Sequence, residues 1–305
     1  MRFTIYQESR QGCRGNNEDR TTYCYSRDAL LMVVADGMGG HHYGEIAAQI
    51  AVQTLADAFQ REARPVLTDP FRFLQKGMTN AHHAILDYTA RHRLKDTPRT
   101  TCVACIVQDN VAYWAHAGDS RLYLMRDGKI IAQTKDHSRI RLLVEEGMIT
   151  EAQAVFHPDR NKIYSCLGSP TPPEIEFSRK TPLNHGDILL LSTDGLWGEI
   201  PAELMAVALK GANLLQAVPM LLNQAEQKSA PHGDNLSVVA VRWEDAYVET
   251  ASSAISTQTM SQNEVSTHLD EFGRNAAYKS DLSDDEIEKA IEEIRSAIDK
   301  YNPKK

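Results

Sequence analysis

The chain has 305 residues, enough to bury a sizeable core in one large domain or two smaller ones, and its 42% hydrophobic and 7% aromatic content are ordinary for a globular protein. A net charge of -8 argues against broad nucleic-acid binding, which depends on Lys and Arg neutralising phosphates, so a negatively charged substrate needs local cations. No apolar run approaches bilayer length, and Met1-Arg2-Phe3-Thr4 leads into polar residues rather than a signal-peptide core, so no membrane span and a cytoplasmic location are expected.

Residues 3–6 form a first predicted strand, followed by a polar turn over 12–20 that holds Arg14, Asn17, Glu18 and Asp19. Strands are predicted at 21–25 and 30–35, the second a Val-rich apolar run that stops abruptly at Asp36-Gly37. Ile46, Ile50, Leu55, Ala58 and Phe59 recur at helical spacing, which predicts a helix over 45–61 packed on a core. A loop with Pro65 and Pro70 leads to a second helix over 71–92. Strands at 101–107, 111–117, 121–125 and 129–134 follow one another through tight turns, which makes them antiparallel and excludes a doubly wound parallel sheet.

A helix over 137–146 ends at Gly147, and the irregular stretch 150–173, with His157-Pro158 and Gly168-Ser169-Pro170, is suited to a flap over a site. The run 188–191 is apolar throughout and so predicts a strand covered on both faces. Helices over 201–209 and 214–229 precede the last strand, 236–243. Helices between groups of antiparallel strands imply an α+β fold in layers, with the helices outside the sheets.

Cys13, Cys24, Cys102, Cys105 and Cys166 are odd in number and scattered, which argues against a disulfide framework. Cys102 and Cys105 form a C-x-x-C inside a strand, where odd spacing sends the side chains to opposite faces, so both read as small buried hydrophobes. After Trp243 the composition changes. Residues 250–267, rich in Ser, Thr and Gln, read as a flexible linker. Ser283-Asp284-Asp285-Glu286 resembles a capping box, and Ile287, Ile291, Ile294, Ile298 and Tyr301 make an apolar stripe on an acidic helix. That helix either packs back on its own domain or docks another protein or a second copy.

Four Asp residues stand beside glycine at strand ends: Asp36, Asp119, Asp194 and Asp234. Asp-Gly is a common turn former, which would account for any one pair. Gathered at one end of a core, with Glu18 and Asp19 in a nearby turn, the carboxylates repel one another unless a cation lies between them. Oxygen-only ligation favours Mg2+ or Mn2+ over zinc, and two such ions about 3.5–4 Å apart can activate a bridging water toward phosphorus. Arg14 offers a planar fork for phosphate oxygens.

Arg14-Gly15-Asn16-Asn17-Glu18-Asp19, Ala35-Asp36-Gly37-Met38-Gly39-Gly40-His41, Gly118-Asp119-Ser120-Arg121, Ser192-Thr193-Asp194-Gly195-Leu196-Trp197 and Gly233-Asp234-Asn235-Leu236-Ser237 resemble, in order and separation, the motifs of the metal-dependent type-2C (PPM) serine/threonine phosphatases. Thr134-Lys135-Asp136-His137-Ser138 and His157-Pro158-Asp159-Arg160-Asn161 are similar to the bacterial branch, and the likeness covers roughly 1–243. The resemblance implies two packed antiparallel sheets flanked by helices. It implies a catalytic domain over 1–245, followed by the linker and acidic helix of 246–305.

By position, Asp36 is expected to bridge two Mn2+ or Mg2+ ions, with the Gly37 carbonyl on one and Asp194 and Asp234 on the other. Glu18 is expected to act through water and Asp19 to orient the cluster, while Asp119 and Asp194 match a third, weaker metal site. Arg14 matches the phosphate-binding arginine. The implied reaction is direct attack of metal-activated water on phosphoserine or phosphothreonine proteins, opposing a serine/threonine kinase. The implied leaving-group acid is open: animal members place a His where this chain has Met38, so water, His41 or His42 must serve. Ser165 stands where bacterial relatives often carry Arg, which bears on flap-dependent substrate preference.

Competing readings fare less well. A dinucleotide-binding G-x-G-x-x-G over Gly37 to Gly40 fails at His42 and against the antiparallel strands. A catalytically weak module that binds phosphoproteins through Arg14 would be favoured by loss of a metal carboxylate, and none is missing.

Overall fold

The strand that begins at Ala29 is buried along its whole length, because it has a packed layer on each face. The computed structural model describes residues 1–38, 43–154, 157–159, 162–245, 255–257 and 260–269. In chain order these form β1 (Arg2–Arg10), β2 (Arg20–Tyr25), β3 (Ala29–Ala35), β4 (Gly37–Met38), α1 (Gly44–Glu62) and α2 (Pro70–His92). There follow β5 (Arg99–Thr100), β6 (Cys102–Gln108), β7 (Val111–Ala117), β8 (Arg121–Arg126), β9 (Lys129–Gln133), α3 (Arg139–Glu145) and α4 (Glu151–Ala154). The remainder comprises β10 (Glu176–Phe177), β11 (Thr181–Pro182), β12 (Ile188–Ser192), α5 (Asp194–Trp197), α6 (Ala202–Leu209), α7 (Leu214–Ser229), β13 (Leu236–Trp243), β14 (Ile255–Ser256) and β15 (Ser266–Leu269).

One sheet runs β14-β1-β13-β12-β8-β9 and the other β10-β7-β6-β3-β2-β15, with β11 also on β7 and a small β4-β5 pair beside them. The pairings within both are antiparallel, as the tight turns predict. Period-two alternation sorts β3 between two cores. Leu31 and Val33 face Leu55, Phe59, Leu74 and Met78 of α1 and α2, while Leu30, Met32 and Val34 face Leu189, Leu191, Val239 and Val241 of the other sheet. On the far side Leu190, Val238 and Ala240 meet Leu196, Met205 and Leu222 from α5, α6 and α7. The result is a helix–sheet–sheet–helix sandwich. Among the described residues no helix is long and apolar enough to cross a membrane.

Helix α2 begins where Asp69 accepts the Arg72 N–H at 3.1 Å and Pro70 occupies the first turn, where no backbone donor is needed. Helix α3 starts at Arg139, later than residue 137, because the Ser138 hydroxyl caps it by accepting the Arg141 N–H at 3.2 Å. Cys102 packs under the helices and Cys105 between the sheets, both as free thiols. Burial raises the Cys102 thiol to about 12 and Cys105 further, so neither is a thiolate at neutral pH.

The expected linker over 250–267 departs from a free strand at two places. Ile255–Ser256 pairs with β1 and Ser266–Leu269 with β2, extending one edge of each sheet. The Thr257 hydroxyl donates to the Arg27 carbonyl at 2.6 Å, and the His268 ring stacks on Tyr23 at 4.6 Å between centroids. Edge strands of two to four residues are too short to carry a periodicity of their own; they form because β1 and β2 leave backbone groups unpaired. The acidic helix expected over 283–301 lies outside the described residues.

Cutting the chain after Asp245 should therefore lower the melting temperature by about 5 °C relative to a chain cut after Leu269, as expected for losing about 2 kcal/mol of edge pairing and ring stacking. Hydrolysis of a small aryl phosphate at low temperature should survive both cuts, and equal melting temperatures would mean that these strands add nothing to the domain.

Candidate metal centre

Strand β3 delivers Asp36 to the rim with its backbone fully committed. The Asp36 N–H donates to the Thr101 hydroxyl at 3.0 Å, and its carbonyl accepts from the Thr100 hydroxyl and the Thr101 N–H, each at 2.9 Å. Only the carboxylate is left for other work. The Gly37 N–H then donates to the Glu18 carbonyl at 3.2 Å, joining this rim to the 12–20 turn. A Cβ at Gly37 would lie 2.3 Å from the Gly44 carbonyl oxygen, so only glycine permits that approach.

The turn itself is pinned by Asn235 at the head of β13. Its side-chain carbonyl accepts the Glu18 N–H at 2.9 Å, and its amide donates to the Gln11 and Asn16 carbonyls at 2.8 and 2.9 Å. Beside it, Asp234 accepts the Asn235 N–H at 2.9 Å on one carboxylate oxygen and the Arg14 guanidinium at 2.6 Å on the other. Asp194 opens α5 directly after β12, where a Cβ on Gly195 would fall 2.1 Å from the Asn235 carbonyl oxygen. The Thr193 hydroxyl donates to Asp19 Oδ2 at 2.8 Å and accepts the Ser237 N–H at 3.0 Å. Asp119 occupies the β7–β8 turn next to Ser120, whose hydroxyl pairs with that of Thr101 at 2.7 Å.

Electrostatics identify these acids as one group. Asp36 is held well above the ordinary carboxylate range, first by burial among protein atoms and then by the charges of Asp19, Asp194, Asp119 and Asp234. Burial likewise dominates at Asp119, pushed to about 8 with help from Asp194 and Asp136, and at Asp19, pushed to about 7. Asp194 rises to about 6 through burial and Asp234, with Arg14 pulling the other way. Glu18 is raised by burial and by Glu45.

Asp19 Oδ1 is buried with no hydrogen-bond partner among the described residues. Carboxylates that disfavour each other's charge and an orphaned buried carboxylate oxygen are what a hard divalent cation relieves, and the donor set is oxygen throughout. The residues fit Mg2+ or Mn2+.

The structure thus draws Arg14, Glu18, Asp19, Asp36, Gly37, Asp119, Asp194 and Asp234 into one neighbourhood, while His41 and His42 lie outside the described residues. Met38 pairs with Arg99 in the short β4–β5 ladder. Ser165 is buried and bonded both ways to the Glu174 backbone at 2.9 Å, so it staples a turn. Of the stretch expected to form a flap, Ile163 bridges to Ser138 and Leu167 to Thr100.

Sequence reasoning missed the frame behind Asp119. Arg121 grips Asp136 through two bonds of 2.8 and 2.7 Å, and its guanidinium lies over the Trp197 ring at 3.5 Å. All three residues stand inside motifs already singled out, and the opposite charges of Arg121 and Asp136 were the available signal.

The family model for protein phosphatase 2C matches residues 9–229. The serine/threonine phosphatase stp of Listeria monocytogenes is 29% identical over 239 residues, covering 77% of this chain and 94% of that protein. The serine/threonine phosphatase of S. agalactiae superposes with a TM-score of 0.73 at 28% identity, over 79% of this chain and 100% of its own. The catalytic domain of the serine/threonine protein phosphatase PstP, solved in complex with two manganese ions, superposes with a TM-score of 0.68 at 31% identity, over 80% of this chain and 99% of its own. With a matching model over most of its length, the same sandwich and the same ordered acids, the chain belongs to the protein phosphatase 2C family of metal-dependent phosphatases and is a serine/threonine phosphatase of the bacterial type.

Proposed function

We propose that this phosphatase removes phosphate from phosphoserine and phosphothreonine in cytoplasmic proteins, opposing a serine/threonine kinase, with a dinuclear Mn2+ or Mg2+ centre. The observation that carries this reading is the set of acids around Asp36, where burial and neighbouring carboxylate charges hold Asp36, Asp119 and Asp194 above the ordinary carboxylate range. Asp36, the Gly37 carbonyl, Asp194 and Asp234 would hold two ions, and Asp119 with Asp194 a third. When bound, the ions supply Lewis acidity that neutralises phosphoryl charge and makes water a better nucleophile.

The chain's own groups do the rest. Arg14 is half exposed while tethered to Asp234, so its guanidinium is within reach of a phosphate at the rim and is already aimed at the centre. Asp19, fixed by Thr193, and Glu18, fixed through its backbone by Asn235, orient the cluster and its water. The departing serine or threonine oxygen takes its proton from water, His41 or His42. The acidic segment over 283–301 serves targeting or self-association.

Three measurements test this. Phosphate release from an aryl phosphate and a phosphothreonine peptide should depend on Mn2+ or Mg2+, and Asp194→Asn should lower it by about 100-fold or more. A folded, metal-loaded wild type that turns over neither substrate would instead favour the phosphoprotein-binding module. Arg14→Ala should cost about 2 kcal/mol in kcat/KM, and Arg14→Lys should recover only part of it, because a point charge replaces a planar fork.

The third reads stability. Asp19, Asp119 and Asp194 bind protons more tightly folded than unfolded, so the stability they contribute is present at low pH and lost as pH rises through about 6 to 8. Chelator-treated protein should melt at a lower temperature at pH 7.5 than at pH 5.5, and Mn2+ should restore more at the higher pH. A melting temperature that rises between those values without metal would contradict the assigned repulsion.

A further inference from the structure

Away from the carboxylate centre, His116, His137 and Glu176 bring one ligand atom each within 4.8 Å of the others. His116 lies on β7 directly opposite Glu176 on the two-residue strand β10, so the sheet register sets that pair. His137 comes from the loop before α3 and lays its ring beside His116, with centroids 4.6 Å apart.

The hydrogen bonds leave one lone-pair position waiting and a second ring nitrogen without a partner among the described residues. His116 Nε2 faces the Lys135 carbonyl at 2.6 Å, which can only accept, so the proton sits on Nε2 and Nδ1 carries a lone pair. That Nδ1 is buried with no hydrogen-bond partner among the described residues. A backbone carbonyl holding the far N–H is the usual support of a metal-binding imidazole. His137 Nε2 is also buried without a hydrogen-bond partner, 3.6 Å from Glu176 Oε2 and beyond hydrogen-bond reach. Both rings are neutral at pH 7, since burial lowers their pKa.

We propose that His116, His137 and Glu176 form a second metal site, for a borderline dication of the zinc type, distinct from the oxygen-only centre. Imidazole nitrogens select zinc over magnesium or manganese, and two His with one Glu leave a fourth position for water. Zn–N distances of about 2.0–2.1 Å put tetrahedral ligand atoms about 3.4 Å apart. The 3.6 Å gap between His137 and Glu176 already approaches that value. Glu176 is exposed on an edge strand and free to close the rest.

The ion would take the Nε2 lone pair of His137 with the ring proton on Nδ1. The cost is the long contact, 3.4 Å, between that nitrogen and the Gly118 N–H. The site lies under the base of the flap: the His137 carbonyl accepts the Tyr164 N–H, and the His137 N–H donates to the Gly118 carbonyl, each at 2.9 Å. Occupancy would stiffen the flap base and bear on the Gly118-Asp119 turn, without a part in the attack itself.

The test uses the full chain in saturating Mg2+, which fills the oxygen-only centre, with Zn2+ as probe. Zinc retained after gel filtration, and the melting temperature with and without zinc, are measured for wild type, Glu176→Gln and Asp194→Asn. Wild type and Asp194→Asn should each retain about one zinc and gain melting temperature, while Glu176→Gln, an exposed substitution with an unchanged metal-free melt, should bind zinc about 100-fold more weakly. No retained zinc in wild type, unchanged binding in Glu176→Gln, or binding that Asp194→Asn abolishes would each overturn the proposal.

Discussion

Mutual repulsion among Asp19, Asp36, Asp119, Asp194 and Asp234 is the constraint around which this structure is arranged. Asp19, Asp36, Asp119 and Asp194 are raised above the ordinary range, first by burial and then by neighbouring carboxylates. A protein could quench such repulsion with its own lysines and arginines, but here the supports are mostly neutral: Thr193 on Asp19, Thr100 and Thr101 on the Asp36 backbone, Ser120 beside Asp119, and Asn235 across the turn. Arg121, the nearby buried cation, is committed to Asp136 and the Trp197 face. Arg14 reaches the cluster from the exposed side. Neutral donors position the carboxylates without competing for the charge that a divalent ion would neutralise.

Antiparallel pairing explains how acids from distant parts of the chain meet. Arg20 at the start of β2 stands opposite Ala35 at the end of β3, and the end of β7 opposite the start of β6. In the second sheet Ser192 at the end of β12 stands opposite Arg121 on one side and Val238 on the other. The ends of β3, β7 and β12 and the starts of β2, β8 and β13 therefore share one rim, and each of these junctions carries one of the acids. Face-to-face packing of the two sheets through Leu30, Met32, Val34, Leu189, Leu191, Val239 and Val241 then brings the two rims together.

The described segment over 162–168 is secured to that same rim. Leu167 bridges to Thr100, which also holds the Asp36 carbonyl, and Tyr164 hangs on His137, which exchanges bonds with Gly118 next to Asp119. These bonds tie the 162–168 segment to the backbone beside two of the acids, Asp36 and Asp119. The paired imidazoles of His116 and His137 sit at this joint.

The strands and helices with a full apolar period were legible in the chain alone, from the continuous run of β3 to the stripe of α1, and so were the Asp-Gly junctions that end strands. Those signals are local: side-chain alternation, helical spacing and turn chemistry are written in neighbouring residues. The ordered motifs also named the acids and Arg14. Tertiary structure decided the rest. β10, β11, β14 and β15 have two to four residues and exist because a neighbouring edge offers unpaired backbone groups. The Asn235 hub, the Arg121–Asp136 frame and the pairing of His116 with Glu176 join residues far apart in sequence, and no local pattern records which partner each will meet. The sequence by itself determined which chemistry the strand ends carry, because residue type and turn geometry are local; which ends share a rim, and what holds them there, only the packing of one sheet on the other could decide.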